Sequence, residues 1–361
     1  MPVDSLMNFA NGLGDSADRL IANNFDIGVL RPWIGSDGRN YVQRTEFNPK
    51  TGKFEKRVMV TNAPATLPRL AWYEFDNAVV KALQNQLNLI TSIRSRGLVY
   101  NIPNAMAHTV LQYQKQYDTT PATIGMDPIR RGESDRPTTD YANFPLPIAW
   151  KDFDFSAREV LVSRNGNMPF DTTMAELAGI KVAEELEGLG AGAVGPFSFG
   201  GGTIYGLINF PQRVTKTDMV VPDGTNNQAI INAILAIRQS LLNNKHRGPF
   251  VFYVNKQWSQ WLDADFNPNT NNSTTLRQRI LAIDDIKDII TLDLLPNTQY
   301  NCVLQETQVQ SVRVVVGMEV QTIQWESLGG MAKHYKVMAM LLTQLRPDTA
   351  GNSGTAHMRT A

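Results

Sequence analysis

Few residues in this chain have types and spacings that could do chemistry. Gly190-Ala191-Gly192-Ala193-Val194-Gly195 matches the glycine spacing of a dinucleotide-binding loop. Such a loop needs a strand before it and a helix after it, so that the pyrophosphate meets a helix N-terminus. Here a helical pattern precedes the glycines and Pro196-Phe197-Ser198-Phe199 follows, so they read as a helix stop and a turn. The four histidines, His108, His246, His334 and His357, show no metal-ligand spacing. His246 falls in Asn244-Lys245-His246-Arg247-Gly248 and suits a capping role at a helix end. His357 lies in a tail of turn and disorder composition. Cys302 sits in an apolar strand context and reads as core, because a thiol nucleophile needs a neighbouring base. Glu184 and Glu187 share a helix face with Glu185 beside them, and read as a solvated or subunit-facing stripe. No catalytic, cofactor-binding or metal site is expected, and no cofactor.

The composition agrees. In 361 residues, Lys plus Arg total 34 and Asp plus Glu total 34, so bulk charge does not drive binding to nucleic acid or an anionic membrane. A single cysteine excludes an intramolecular disulfide and a multi-thiolate zinc site. No signal peptide is read at the N-terminus, and no stretch approaches the roughly 18 apolar residues of a membrane helix. The expected setting is a reducing cytoplasm.

The elements are more informative than the candidate sites. A short helix is expected over Ser16–Asn24, then a hairpin with strands near 40–46 and 54–60 around Asn48-Pro49-Lys50-Thr51-Gly52. A helix starts near Leu67 with Leu70, Phe75, Val79, Leu83 and Leu87 on one face, and Gly97 ends it. Residues 118–155 hold a charged middle and four prolines between Pro121 and Pro145. Phe144, Leu146, Ile148 and Trp150 alternate at period two, and the apolar phase then slips to Phe153 and Phe155, which predicts a bulge near Lys151. These features predict a long exposed ribbon whose tip carries Arg130, Arg131, Glu133, Asp135 and Arg136. A two-stranded ribbon is marginal alone, so another subunit is expected beneath it. A helix over 171–189 follows, capped by Asp171 or Thr172 with Glu176. Alternating helix and strand from about 222 predicts a small mixed domain, and long strands return after 312 around a turn at 327–333.

The stretch from Thr120 to Glu187, with TPATIGMDPIRRGESDRP, FPLPIAWKDFDF and DTTMAELAGIKVAEELE, resembles tailed-bacteriophage major capsid proteins of the Hong Kong 97-type fold, in their encapsulin-like branch. FGGGTIYGLINFPQR, Phe199 to Arg213, resembles the segment after the spine helix of that branch, and the resemblance runs over roughly residues 20–346. It implies an α+β chain divided into an N-terminal arm with a hairpin (1–66), a helical segment (67–117) and an extended loop (118–155). A peripheral domain with its spine helix (156–222), an axial domain (223–308), peripheral return strands with a hairpin (309–346) and a tail (347–361) complete it. Inter-subunit contacts are expected at the loop tip named above, along Phe144, Leu146, Ile148 and Trp150, and at the hairpin tip of Gly329, Gly330, Met331 and Lys333.

The function so implied is a shell subunit assembling through pentamers and hexamers into an icosahedral or prolate phage head. The head forms in the host cytoplasm and is found in the virion. Partners are other copies, portal, scaffolding and cement or decoration proteins, and double-stranded DNA by weak non-specific contact, with no membrane. Two alternatives stay open: an encapsulin-type nanocompartment holding an enzyme cargo, and a cytosolic α/β enzyme.

Overall fold

The computed structural model describes residues 27–360 except 51–52, 64, 66, 103–104, 117–121, 123, 125, 127–138, 166–171 and 267–273. The expected helix at 16–24 and the ribbon tip at Arg130 to Arg136 lie outside the described residues. In chain order the strands and helices begin with β1 (Trp33–Ile34), β2 (Asn40–Asn48), β3 (Lys53–Val60), β4 (Leu67–Pro68), α1 (Arg69–Gln86), α2 (Asn88–Ser95) and β5 (Val99–Asn101). Next come β6 (Val110–Gln116), β7 (Thr139–Pro145), β8 (Ala149–Ser156), α3 (Ala157–Asn165), α4 (Thr173–Ala191), β9 (Phe197–Phe199), β10 (Gly202–Ile204) and β11 (Val214–Lys216). The chain continues through α5 (Asn227–Asn243), β12 (Phe250–Val254), α6 (Trp258–Leu262), α7 (Leu276–Leu281) and β13 (Ile286–Thr291). It closes with β14 (Cys302–Glu306), β15 (Val312–Ser327), β16 (Ala332–Leu345) and β17 (Thr355–Met358). Two compact units result, one from residues 1–109, 146–190 and 314–343, the other from 110–145, 191–313 and 344–361.

In the first unit, the sheet runs β5-β15-β16-β8, with β5 parallel to β15 and β8 antiparallel to β16. Trp72 and Phe75 of α1 reach this sheet and join Phe153 and Tyr335 in an aromatic cluster, with Phe153 and Tyr335 stacked at 5.4 Å. The buried stripe of α1 is Trp72, Phe75, Val79 and Leu83, and Leu70 is 79% exposed. Leu70 is two residues, about 200° of helical rotation, from Trp72 and so points away from the core. The expected single helix is two. Leu87 leaves helical geometry at ψ 59°, and α2 starts anew after it. Gly97 at φ +75° does end α2, its N–H bonding the Arg94 carbonyl.

Helix α4 buries the small side chains Ala175, Ala178 and Ala183 with Val182 and Leu186, while Met174 and Leu177 stay exposed. Small residues permit close approach: a Cβ on Gly179 would stand 3.3 Å from Val79 of α1. A separate sheet, β3-β2-β1-β4, contains the expected hairpin, with Tyr41 opposite Val60 and Asn48 opposite Lys53.

The second unit is built around the sheet β11-β17-β14-β12-β13. β12, Phe-Val-Phe-Tyr-Val, is buried at every position between parallel β13 and antiparallel β14. Ile230, Ile234, Ile237 and Leu241 of α5 cover it, together with Trp258, Leu262, Leu276 and Ile280. The tail expected to be disordered is instead β17, fully buried between β11 and β14. Its backbone ladder on both edges, with Ala356 and Met358 in the core, outweighs a composition that reads as turn.

The ribbon is β6 with β7, paired from Val110 opposite Pro145 to Gln116 opposite Thr139. It starts at 110 rather than 118 and does not extend to Phe155. Prolines at 145 and 147 have no N–H to continue the ladder. Beyond them β8 joins the first unit's sheet, pairing with β16 from Ala149 opposite Ala339 to Ser156 opposite Ala332 without a register shift. The expected bulge near Lys151 is therefore absent. Phe153 and Phe155 take the core face of an unbroken strand, and Trp150 belongs to the other face.

Candidate assembly surfaces

The residues expected to meet a neighbour divide sharply. Phe144 and Leu146 are buried within the chain, and Ile148 is half-buried. These three do not form an open apolar face, which corrects the expectation drawn from their alternation. The base of the ribbon is occupied by its own unit. A Cβ on Gly202 of β10 would stand 2.2 Å from the Asn143 carbonyl oxygen, so only glycine permits this approach. Asn143 Nδ2 also donates to the Gly200 carbonyl at 2.9 Å.

Trp150 is the member of that set left open, at 62% exposed. Lys336 Nζ lies 5.8 Å from its ring centroid and 5.4 Å from that of Trp325, and pairs with Asp152 at 3.6 Å. The result is an aromatic and charged strip on the outer face of β8 and β16.

The β15–β16 turn has three consecutive left-handed residues, Leu328 at φ +53°, Gly329 at +65° and Gly330 at +87°. Leu328 is 80% exposed and Met331 70% exposed. Below them Lys333 pairs with Glu326, Ser327 Oγ lies 2.6 Å from His334 Nε2, and His334 stacks on Trp325 at 5.3 Å. These contacts brace the tip, which then presents two apolar side chains to solvent. On β3, Val58, Met59 and Val60 are exposed in succession at a sheet edge.

The residues considered for chemistry have structural tasks. Cys302 is buried in β14, where burial pushes its thiol pKa up. Ala191 ends α4, Gly192 turns at φ +91°, and no helix begins at Gly195. Glu187 is not solvated. It is buried, and its carboxylate accepts the N–H groups of Leu89 and Ile90 at 2.5 and 3.4 Å, capping α2 from another helix. His246 does not cap a helix with its ring; Nδ1 engages Glu306 at 2.6 Å. Burial opposes ionisation of Glu306, but hydrogen bonds from His246 and Ser311 outweigh it and hold the carboxyl below its usual range. His357 is buried and bonds Asn301 Oδ1 at 2.9 Å, and burial with Arg213 and Arg359 nearby lowers its pKa to about 4. Arg94 forms a bidentate pair with Glu319, uniting α2 with β15. Sequence spacing could not find these long-range partners, because they are separated by up to 225 positions.

Among the described residues no group of three or more His, Cys, Asp or Glu could hold a metal ion, and no helix is long and apolar enough to cross a membrane. Among the described residues the arrangement braces exposed turns and edges.

A model of a family of unknown function, DUF6260, matches residues 62–358. No curated protein matches in sequence. Among solved structures, the virus-like particle from Pyrococcus furiosus is 14% identical with a TM-score of 0.55, covering 79% of this chain and 98% of that one. The capsid of Myoviridae phage XM1 is 10% identical with a TM-score of 0.56, covering 74% and 91%. The capsid of an empty GTA particle is 11% identical with a TM-score of 0.51, covering 75% and 90%. The likeness is one of fold, and the fold is the Hong Kong 97-type capsid fold.

Proposed function

The chain belongs to the DUF6260 family, and from that premise we propose that it is a shell subunit, the major capsid protein of a tailed phage. The observation that carries this reading is the capsid fold across about three quarters of the chain, joined to turns and edges that carry exposed apolar side chains. Val58 to Val60, Trp150, Leu328 and Met331 remain in water in one chain. Copies placed around five-fold and six-fold centres would cover such surfaces and remove open edges by closure. Interfaces of obligate assemblies commonly bury about 2,000 Å2 or more, which several dispersed patches can supply together.

In this reading the β6–β7 ribbon with its charged tip reaches a neighbouring subunit, and the β15–β16 turn sits at a contact between capsomers. Helix α4 is the spine, and the β12-centred unit is the axial domain. The particle encloses double-stranded DNA that the shell contacts weakly, since the chain carries equal numbers of basic and acidic side chains. Portal, scaffolding and decoration proteins are the further partners of such a head, which assembles in the host cytoplasm.

A second reading has one observation in its favour: the likeness to the Pyrococcus furiosus virus-like particle spans nearly all of that chain. A closed compartment with protein cargo would have the same fold. Particles purified from the producing cells and treated with nuclease separate the two. Protected genome-length DNA supports the phage head, and a protected protein cargo without DNA supports the compartment.

A further inference from the structure

In the second unit a cleft of about 620 Å3 opens where β6, the turn after α5 and the turn after β16 come together. Lys115, Lys245, Arg247 and Arg346 line it. Among the described residues none of the four has an ion-pair partner. Arg346 lies 5.3 Å from the ring centroid of Tyr113, which fixes it on the β6 wall.

Two carboxylates also face the cleft, Glu306 committed within the fold and Asp348 committed through one of its oxygens. Glu306 accepts from His246 Nδ1 at 2.6 Å, Ser311 Oγ at 2.5 Å and the Gly248 N–H at 3.3 Å. Asp348 accepts the N–H groups of Ala350 and Asn352 at 3.0 and 2.7 Å, closing its own turn. The end of α5 would repel an anion, but its last carbonyls are occupied. The N–H groups of Asn244, Lys245 and His246 bond the carbonyls of Ser240, Leu242 and Leu241.

His246 supplies an independent pointer. It is 7% exposed and lines the cleft. With Nδ1 held by Glu306, its Nε2 is buried without a hydrogen-bond partner, the nearest carboxylate oxygen being Asp348 Oδ2 at 3.7 Å. A buried polar atom in this state is costly unless something enters to meet it.

We infer that this cleft binds a compact, doubly charged oxyanion of the phosphate class, with Lys115, Lys245, Arg247 and Arg346 as counter-charges and His246 Nε2 as the buried donor. Because Nδ1 already donates to Glu306, Nε2 donates only in the imidazolium form. Glu306 is held by its own hydrogen bonds, whereas Asp348 uses Oδ1 for its turn and leaves Oδ2 3.7 Å from Nε2, where an entering anion must displace it as the nearest acceptor. A free oxyanion and a backbone phosphate share this chemistry, and the arms of the test separate them.

The site lies within one unit of one chain, so its test does not depend on the shell reading. Titration calorimetry of the full-length protein, at fixed ionic strength against chloride, uses inorganic phosphate and sulfate as probes. The expected result is saturable binding of one anion per chain. The variant Lys245→Gln/Arg247→Gln removes two exposed cations, leaves melting unchanged and weakens binding roughly tenfold or more. No saturable binding of either anion, or equal binding by the variant, overturns the assignment. A short DNA duplex that binds in a manner lost in the variant, while phosphate and sulfate do not bind, also overturns it and makes the surface one for nucleic acid.

Discussion

Strand β12 has a hydrogen-bonded neighbour on each edge and is buried at each of its five positions. Strand β3 is an outer strand, and Val58, Met59 and Val60 lie open in a row. The two segments have similar β-forming side chains and opposite surroundings. The same contrast separates the core of the second unit from the β15–β16 turn, where Leu328 and Met331 are held out by left-handed backbone and a braced stem. One class of residue maintains the fold of a single chain. The other gives that chain little and is available to neighbours. Substitutions in the two regions should therefore separate stability from assembly.

The largest effect is expected in the core. Trp258 is fully buried, and its indole N–H donates to the Tyr300 carbonyl at 3.0 Å. Trp258→Ala should cost about 3–5 kcal/mol, read by chemical denaturation of the unassembled subunit. Assembly would then fail because folding fails. A loss under about 1 kcal/mol would show that this sheet is not the stabilising core.

Acid should act through the same region. His357 ordinarily titrates near 6.5 and in the fold near about 4, first through burial and then through Arg213 and Arg359. The unfolded chain takes up its proton before the folded one does. Stability should thus fall as pH drops from about 6.5 towards 4 and level off below, by on the order of 3 kcal/mol. Denaturant midpoints measured across that range check this, and His357→Gln should flatten the slope. An unchanged slope would remove His357 from the account.

A smaller effect is expected at the base of the ribbon. Gly202→Ala places a methyl against the Asn143 carbonyl and should cost about 1–3 kcal/mol, read as a lowered melting temperature. Limited proteolysis should then cut the ribbon sooner. Indifference at this position would mean that the ribbon is not seated on β10.

The smallest effect on the subunit, and the sharpest on assembly, is expected at the hairpin turn. Leu328→Ser/Met331→Ser should change subunit stability by under about 0.5 kcal/mol, because both side chains are already in water. The same variant should reduce the yield of large particles in sedimentation. Normal particle yield would contradict the role given to this turn.

Local pattern made much of this legible in the sequence. The hairpin of β2 and β3 follows from two β-rich runs around Asn48-Pro49, and the stop at Gly97 from its position past a basic last turn. The β15–β16 hairpin could be read from long apolar strands around glycines. What failed depended on partners distant in sequence. Phe144 and Leu146 alternate like an exposed ribbon strand, yet both are buried by their own chain. Thr355 to Met358 has little strand character, and only a vacant place between β11 and β14 makes it one. Glu187 has the look of a surface acid until the helix breaks at Leu87 and the new start of α2 presents two N–H groups to it. Of the basic cleft only the run Lys245-His246-Arg247 is visible in the sequence, since topology brings Lys115 and Arg346 to it.

Whether this chain is a shell subunit is decided by electron microscopy of the purified full-length protein with native mass measurement. The account predicts closed particles, or five- and six-membered capsomers that close on concentration. A compact monomer that persists at every salt and protein concentration would contradict it.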